Sequence, residues 1–145
     1  MWKKISCRAA LVATLAAAMA SGCSTTAAGS RPELAGTSWL AEDIAAQGVI
    51  DNLQTTLSFE SENRVVGNAG CNRYFGSVLI DADKLEFGPL GSTMMACPEA
   101  VMNQEQRFLA ALESSRGYRL DNQTGLLYFT DQAGQDVLRF SRLEP

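Results

Sequence analysis

Apolar side chains recur at every second position in several short runs of this chain, and clusters of turn-forming residues separate the runs. Leu57 and Phe59 alternate in this way, as do Leu85 and Phe87, and Leu138 and Phe140 near the end. A period of two puts such side chains on one face of a strand. Strands are expected at residues 37–41, 56–60, 64–67, 77–81, 84–87, 118–120, 126–130 and 136–140. Asn63, Asp81, Asp83, Gly125 and Gly134 lie in the intervening turns. One segment has helical spacing. Pro98 suits a first helical position, and Glu99 suits the positive first turn. Val101, Phe108, Leu109 and Leu112 then form one stripe, with Gln104, Gln106 and Glu113 opposite and Gly117 just past the end. The expected fold class is α+β: a small antiparallel curved sheet or β half-barrel of about eight strands. One packed helix covers its open side and protects the edges.

The first residues decide where such a domain works. Lys3, Lys4 and Arg8 make the start basic, and residues 9–20 form an apolar run broken only by Thr14. Ala20-Ser21-Gly22-Cys23 follows. Basic, apolar, small is the order of a secretory signal peptide. The run is well short of the ~20 residues that span a bilayer as a helix. The last four residues resemble the lipobox of bacterial lipoproteins, with Ala20 where leucine is commonest. The resemblance implies cleavage before Cys23, a diacylglyceryl group on its thiol, and attachment to the cell envelope by acyl chains. The alternative is an ordinary signal peptide with a chance cysteine. Ser24 stands where an Asp commonly signals inner-membrane retention, so the expected location is the outer membrane, on its periplasmic face. Residues 1–22 are thus the signal peptide, 23–33 a lipidated start and flexible tether, and 34–145 the domain.

Removing residues 1–22 leaves 123 residues with 9 basic and 16 acidic side chains, a net charge of −7. That balance disfavours nucleic acid and any electrostatic grip on anionic lipid. Of four cysteines, Cys7 leaves with the signal and Cys23 is lipidated. Cys71 and Cys97 remain. In an exported domain they most simply form a disulfide, with free buried thiols as the alternative. A zinc site would want four ligands, and the chain has no histidine. No cofactor is expected beyond the covalent lipid.

Two segments stand apart from the strand pattern. Gly67-Asn68-Ala69-Gly70-Cys71-Asn72-Arg73-Tyr74-Phe75-Gly76 holds three glycines and two asparagines, the composition of a tight, irregular crossover. Gly91-Ser92-Thr93-Met94-Met95-Ala96-Cys97-Pro98 leads into the helix. Together with Gly36-Thr37-x-Trp39, Glu105-x-x-Phe108-x-x-x-Leu112 and Leu138-x-Phe140, they resemble the META domain family. Its bacterial members include heat-inducible lipoproteins of the HslJ type. The resemblance covers nearly the whole mature domain. It implies a sheet-rich half-barrel with a packed helix, similar in architecture to pilot lipoproteins that bind a lipid or a partner's segment. It implies links to heat shock, antibiotic tolerance and secretion. It transfers no catalytic residue.

The residues themselves offer little chemistry. Histidine, the commonest base beside a nucleophile, is absent, and Lys84 is the only lysine left after cleavage. The acid pairs Asp81 with Asp83 and Glu60 with Glu62 fall at turns, where acids serve local hydrogen bonds. Asn72 holds the crossover through backbone bonds or contacts a ligand. Arg73, Tyr74 and Phe75 are candidates for a recognition patch. Met94 and Met95 line an apolar groove or pack as core or sheet edge. The function expected is a non-enzymatic, stress-related envelope lipoprotein, chaperone-like or pilot-like, that binds a protein or an apolar ligand. An inhibitor of an exogenous hydrolase such as lysozyme is the alternative, for which net −7 suits a cationic target. A hydrolytic enzyme is the remote third.

Overall fold

The computed structural model describes residues 34–144, so the signal, Cys23 and the tether lie outside the described residues. The strands are β1 (Ser38–Ile44), β2 (Thr56–Ser61), β3 (Arg64–Asn68), β4 (Arg73–Asp81), β5 (Lys84–Phe87) and β6 (Gly91–Ser92), followed by β7 (Gly117–Leu120), β8 (Leu127–Thr130) and β9 (Asp136–Leu143). One helix, α1 (Glu99–Ser114), lies between β6 and β7. Every pairing is antiparallel, in the order β3-β2-β1-β9-β8-β7-β5-β4-β6. A further pairing of β3 with β4 joins the ends of that order into a ring of eight strands, with β6 beside β4. The expected β-rich architecture with one packed helix is present, and its curvature is complete enough to close a barrel.

Alternation builds the interior. Trp39, Leu57, Phe59, Val65, Tyr74, Val78, Leu85, Phe129, Leu138 and Phe140 are all buried. Phe129 lies 5.1 Å, centroid to centroid, from Phe140, which meets Phe108 of the helix edge-on at 6.3 Å. Tyr74 meets the other side of Phe108 at 5.6 Å. The ring is thinnest between β5 and β7. They pair only at Lys84 and Gly117, flanked by bonds from Leu85 N–H to Arg116 O and Tyr118 N–H to Asp83 O.

The helix crosses the end of the barrel where Ile50, Thr55 and Asn72 lie. Pro98 is its cap residue, and Glu99 is the first helical position. Phe108, Ala111 and Leu112 face the core as the apolar stripe requires, but so do Gln104 and Glu105. Gln104 was expected on the outer face. It is buried because Oε1 accepts Ile50 N–H at 2.7 Å and Nε2 donates to Thr55 Oγ1 at 3.1 Å. Those bonds satisfy a polar group that would otherwise be costly to bury.

The crossover is tighter than its glycine content suggests. β3 runs to Asn68 and β4 starts at Arg73, leaving four residues to turn the chain. Of the three glycines here, only Gly70 has a left-handed φ, +129°. Gly67 and Gly76 are strand positions where another chain comes close. A Cβ on Gly67 would lie 2.1 Å from Thr56 O, and one on Gly76 would lie 2.5 Å from Leu90 Cδ2.

Candidate functional site

The four-residue turn between β3 and β4 is stitched to the segment leading into the helix. Cys71 and Cys97 are bonded, with Cα atoms 6.0 Å apart and a separation of 26 in sequence. Asn72 is 2% exposed, and both ends of its amide are used. Oδ1 accepts Met95 N–H at 2.7 Å and the Thr93 hydroxyl at 2.9 Å. Nδ2 donates to Met95 O at 3.3 Å and to Glu105 Oε1 at 2.8 Å. The other Glu105 oxygen accepts the backbone N–H groups of Asn72 at 2.7 Å and Cys71 at 3.2 Å. Glu105 is 5% exposed and has only acceptor duties. A buried carboxylate facing three donors is a satisfied group.

The six residues proposed from sequence for recognition therefore divide. Asn72 and Tyr74 turn inward. Tyr74 is 1% exposed, its hydroxyl donates to Thr56 O at 2.9 Å, and burial pushes its pKa well above the ordinary 10.0. Arg73, Phe75, Met94 and Met95 stand on the surface, with Phe75 57%, Met94 97% and Met95 56% exposed. Leu79 adds a further exposed side chain to the outer face of β4. Arg73 has no carboxylate within ion-pair distance among the described residues. The sequence reading missed Glu105 as a working residue, although three- and four-residue steps put it on one stripe with Phe108 and Leu112.

A concavity of about 1000 Å³ opens where β5 meets β7. Lys84, Arg116 and Arg119 line it, and both arginines are already engaged. Arg116 donates to Glu113 O and Ser115 O, while Arg119 pairs with Asp136 and lies over the Tyr128 ring. Among the described residues, no group of three or more Cys, Asp or Glu is placed to hold a metal ion.

A small closed antiparallel barrel capped by a helix, with a Gly-Cys-Asn turn disulfide-linked to a Thr-Met-Met-Ala-Cys segment, defines the class. Residues 32–144 match the model of the META domain, and the chain belongs to that family. The match is to the family as a whole and does not single out the HslJ type. A protein from Burkholderia xenovorans, known by NMR, is similar at 30% identity and a TM-score of 0.60, over 77% of this chain and 85% of that one. A second NMR structure is similar at 21% identity and a TM-score of 0.56, over 74% and 90%. A crystal structure of a DUF4847 family protein from Bacteroides vulgatus shares the fold at 12% identity and a TM-score of 0.55, over 77% and 96%. No curated protein matches the chain.

Proposed function

We propose that this META domain protein is a non-enzymatic lipoprotein of the cell envelope, anchored through Cys23 at the outer membrane. Its barrel binds another protein in a stress-related role. The observation that supports this reading is where the unburied apolar surface lies. Phe75, Leu79, Met94 and Met95 are outside the wall, while large aromatic side chains fill the interior. A filled barrel favours a protein on the outer face over an acyl chain inside. Exposed large side chains gathered along β4 and the segment after β6 are the surface an interaction partner would cover. The chemistry expected from the sequence also fits a binding role. Lys84, the remaining lysine, sits exposed on the outer side of β5.

Two measurements test this. Mass spectrometry of the protein taken from envelopes is expected to show a chain starting at Cys23 with a diacylglyceryl thioether. A photoreactive side chain at Phe75 or Met94 is expected to give one discrete protein adduct in native envelopes, and the same group at Arg139 on β9 none. No adduct from either patch position, or equal adducts from all three, refutes binding through this face.

A further inference from the structure

The apolar residues lie beside the one strand that ends the order of the sheet. Among the described residues, β6 pairs β4 on one side and no strand on the other. Its register fixes where its backbone groups point. Gly91 is opposite Phe75, Ser92 opposite Tyr74, and Thr93 N–H donates to Arg73 O at 3.0 Å. Alternation in an antiparallel ladder turns the N–H and C=O of Gly91 and Thr93 toward β4. Those of Leu90 and Ser92 therefore turn away from β4, and Met94, past the ladder, is exposed. Met95 would next turn inward, but β4 has ended there. The Asn72 amide takes the place of a strand residue and bonds both Met95 N–H and Met95 O. The disulfide then fixes Cys97 two residues on. The distinctive segments of the sequence thus hold Thr93 and Met95 beside the start of β4, past the two-residue ladder.

Such an edge is normally guarded by charge, proline within the strand, or a covering element. Residues 88–98 contain no charged side chain, and residues 92–96 are all exposed. Gly91 also lets a neighbour lie across the edge. A Cβ there would sit 2.7 Å from Phe75 Cζ, so the ring lies over the strand. Phe75 shares the outer face of β4 with Arg73, and the exposed Met94 and Met95 follow just past the end of β6.

Resting on the binding role above, we infer that this edge captures an extended segment of another protein as an added strand. Its backbone pairs with Leu90, Ser92 and Met94. Its alternate apolar side chains meet Phe75 and Met95, and one carboxylate answers Arg73. Main-chain bonds supply affinity, and flanking side chains supply specificity, as in other strand-addition complexes.

The test uses the lipidated full chain in envelopes, with the photoreactive group at Met94, and adds Ser92→Pro. The Ser92 N–H points outward, so its loss removes no bond of the fold, and Gly91 tolerates a following proline. Ser92→Pro is expected to cut the adduct at least tenfold with an unchanged melting temperature, and Ser92→Thr is expected to restore it. Hydrogen exchange on the purified adduct is expected to slow at Ser92 and Met94. Arg73→Glu is expected to reduce the adduct severalfold. An adduct that survives Ser92→Pro, or amides at 92 and 94 that stay in fast exchange, overturns strand addition and leaves the binding role standing. An adduct of twice the chain's mass, or one with lipid, overturns the choice of partner. Should Ser92→Pro lower the melting temperature, the exchange measurement on the unaltered edge decides alone. No adduct in the parent protein overturns both readings.

Discussion

Glu105→Gln removes one charge and almost no volume, and two effects of opposite sign compete. Burying a carboxylate costs several kcal/mol, so neutralising one relieves a penalty. Against that stands the donor count. Three N–H groups converge on Glu105, from Cys71, Asn72 and the Asn72 amide. A glutamine offers one oxygen and one NH2. With its oxygen on the two backbone donors, its NH2 faces Asn72 Nδ2. Rotating the Asn72 amide repairs that contact but turns Nδ2 toward Met95 N–H, which Oδ1 now accepts. No arrangement avoids a buried donor facing a donor. One orphaned group costs about 1–3 kcal/mol, and the remaining bonds lose their charge assistance. The mismatch outweighs the relief, and we expect Glu105→Gln to destabilise by about 2–4 kcal/mol, or roughly 8–15 °C for a domain of this size. Asn72→Asp alone places two carboxylates in contact and is expected to cost at least as much. The double variant swaps donor for acceptor and should recover at least about half of the loss, a coupling that a mutant cycle isolates. Urea unfolding of the oxidised mature protein measures all four forms. A Glu105→Gln protein as stable as the parent, or a double variant that merely adds the two losses, refutes this account of the site.

Breaking the disulfide by Cys71→Ser with Cys97→Ser should cost about 3.5 kcal/mol from the unfolded chain's regained freedom, given a sequence separation of 26; denaturant midpoints measure it, and a loss below about 1 kcal/mol contradicts it. Because burial raises the folded pKa of Tyr74 above its ordinary 10.0, the stability linked to its proton is fully present below pH 10. That stability falls by up to about 1.4 kcal/mol per pH unit as pH rises past 10 toward the folded pKa. Tyr74→Phe should flatten this alkaline limb in pH-dependent unfolding. Gly67→Ala places a methyl group 2.1 Å from Thr56 O, and we expect a loss of about 2–3 kcal/mol, read by thermal melting. Gly134→Ala, with φ +77° and nothing within 4 Å, tests backbone strain without any clash.

The strands and the helix were readable in sequence because each buries one face. Leu57 with Phe59, Leu85 with Phe87, and Leu138 with Phe140 declare a half-buried strand without reference to anything distant. What stayed hidden was set by contacts across the chain. Gln104 looked like a surface residue because its partners, Ile50 N–H and Thr55 Oγ1, lie about fifty positions away in an irregular loop. Gly67 and Gly76 looked like turn formers because composition cannot separate a glycine needed for positive φ from one needed for close approach. Closure of the ring was equally invisible, since nothing local marks that β1 will meet β9 from the far end of the chain or that β5 will meet β7 across the helix. The six recognition candidates were neighbours in sequence, yet strand alternation divides them. Arg73 and Phe75 face out, and Tyr74 between them fills the core.

Two demands meet in the same few residues. A barrel this small gains little from its thinnest closure, the single pair between β5 and β7, so cross-links elsewhere matter to its stability. The Cys71–Cys97 bond and the Asn72–Glu105 network are such links, and both sit at one end of β4. Stability alone would be served by guarding the β6 edge with a lysine or by extending the helix over it. The chain instead keeps Gly91 beneath an exposed phenylalanine and leaves a run of uncharged residues in the open. The stabilising network also acts at that place, because the Asn72 amide bonds both the N–H and the C=O of Met95 just past β6. Anchoring the fold and presenting the edge are one arrangement of residues. A change that loosens the first should also blur the second.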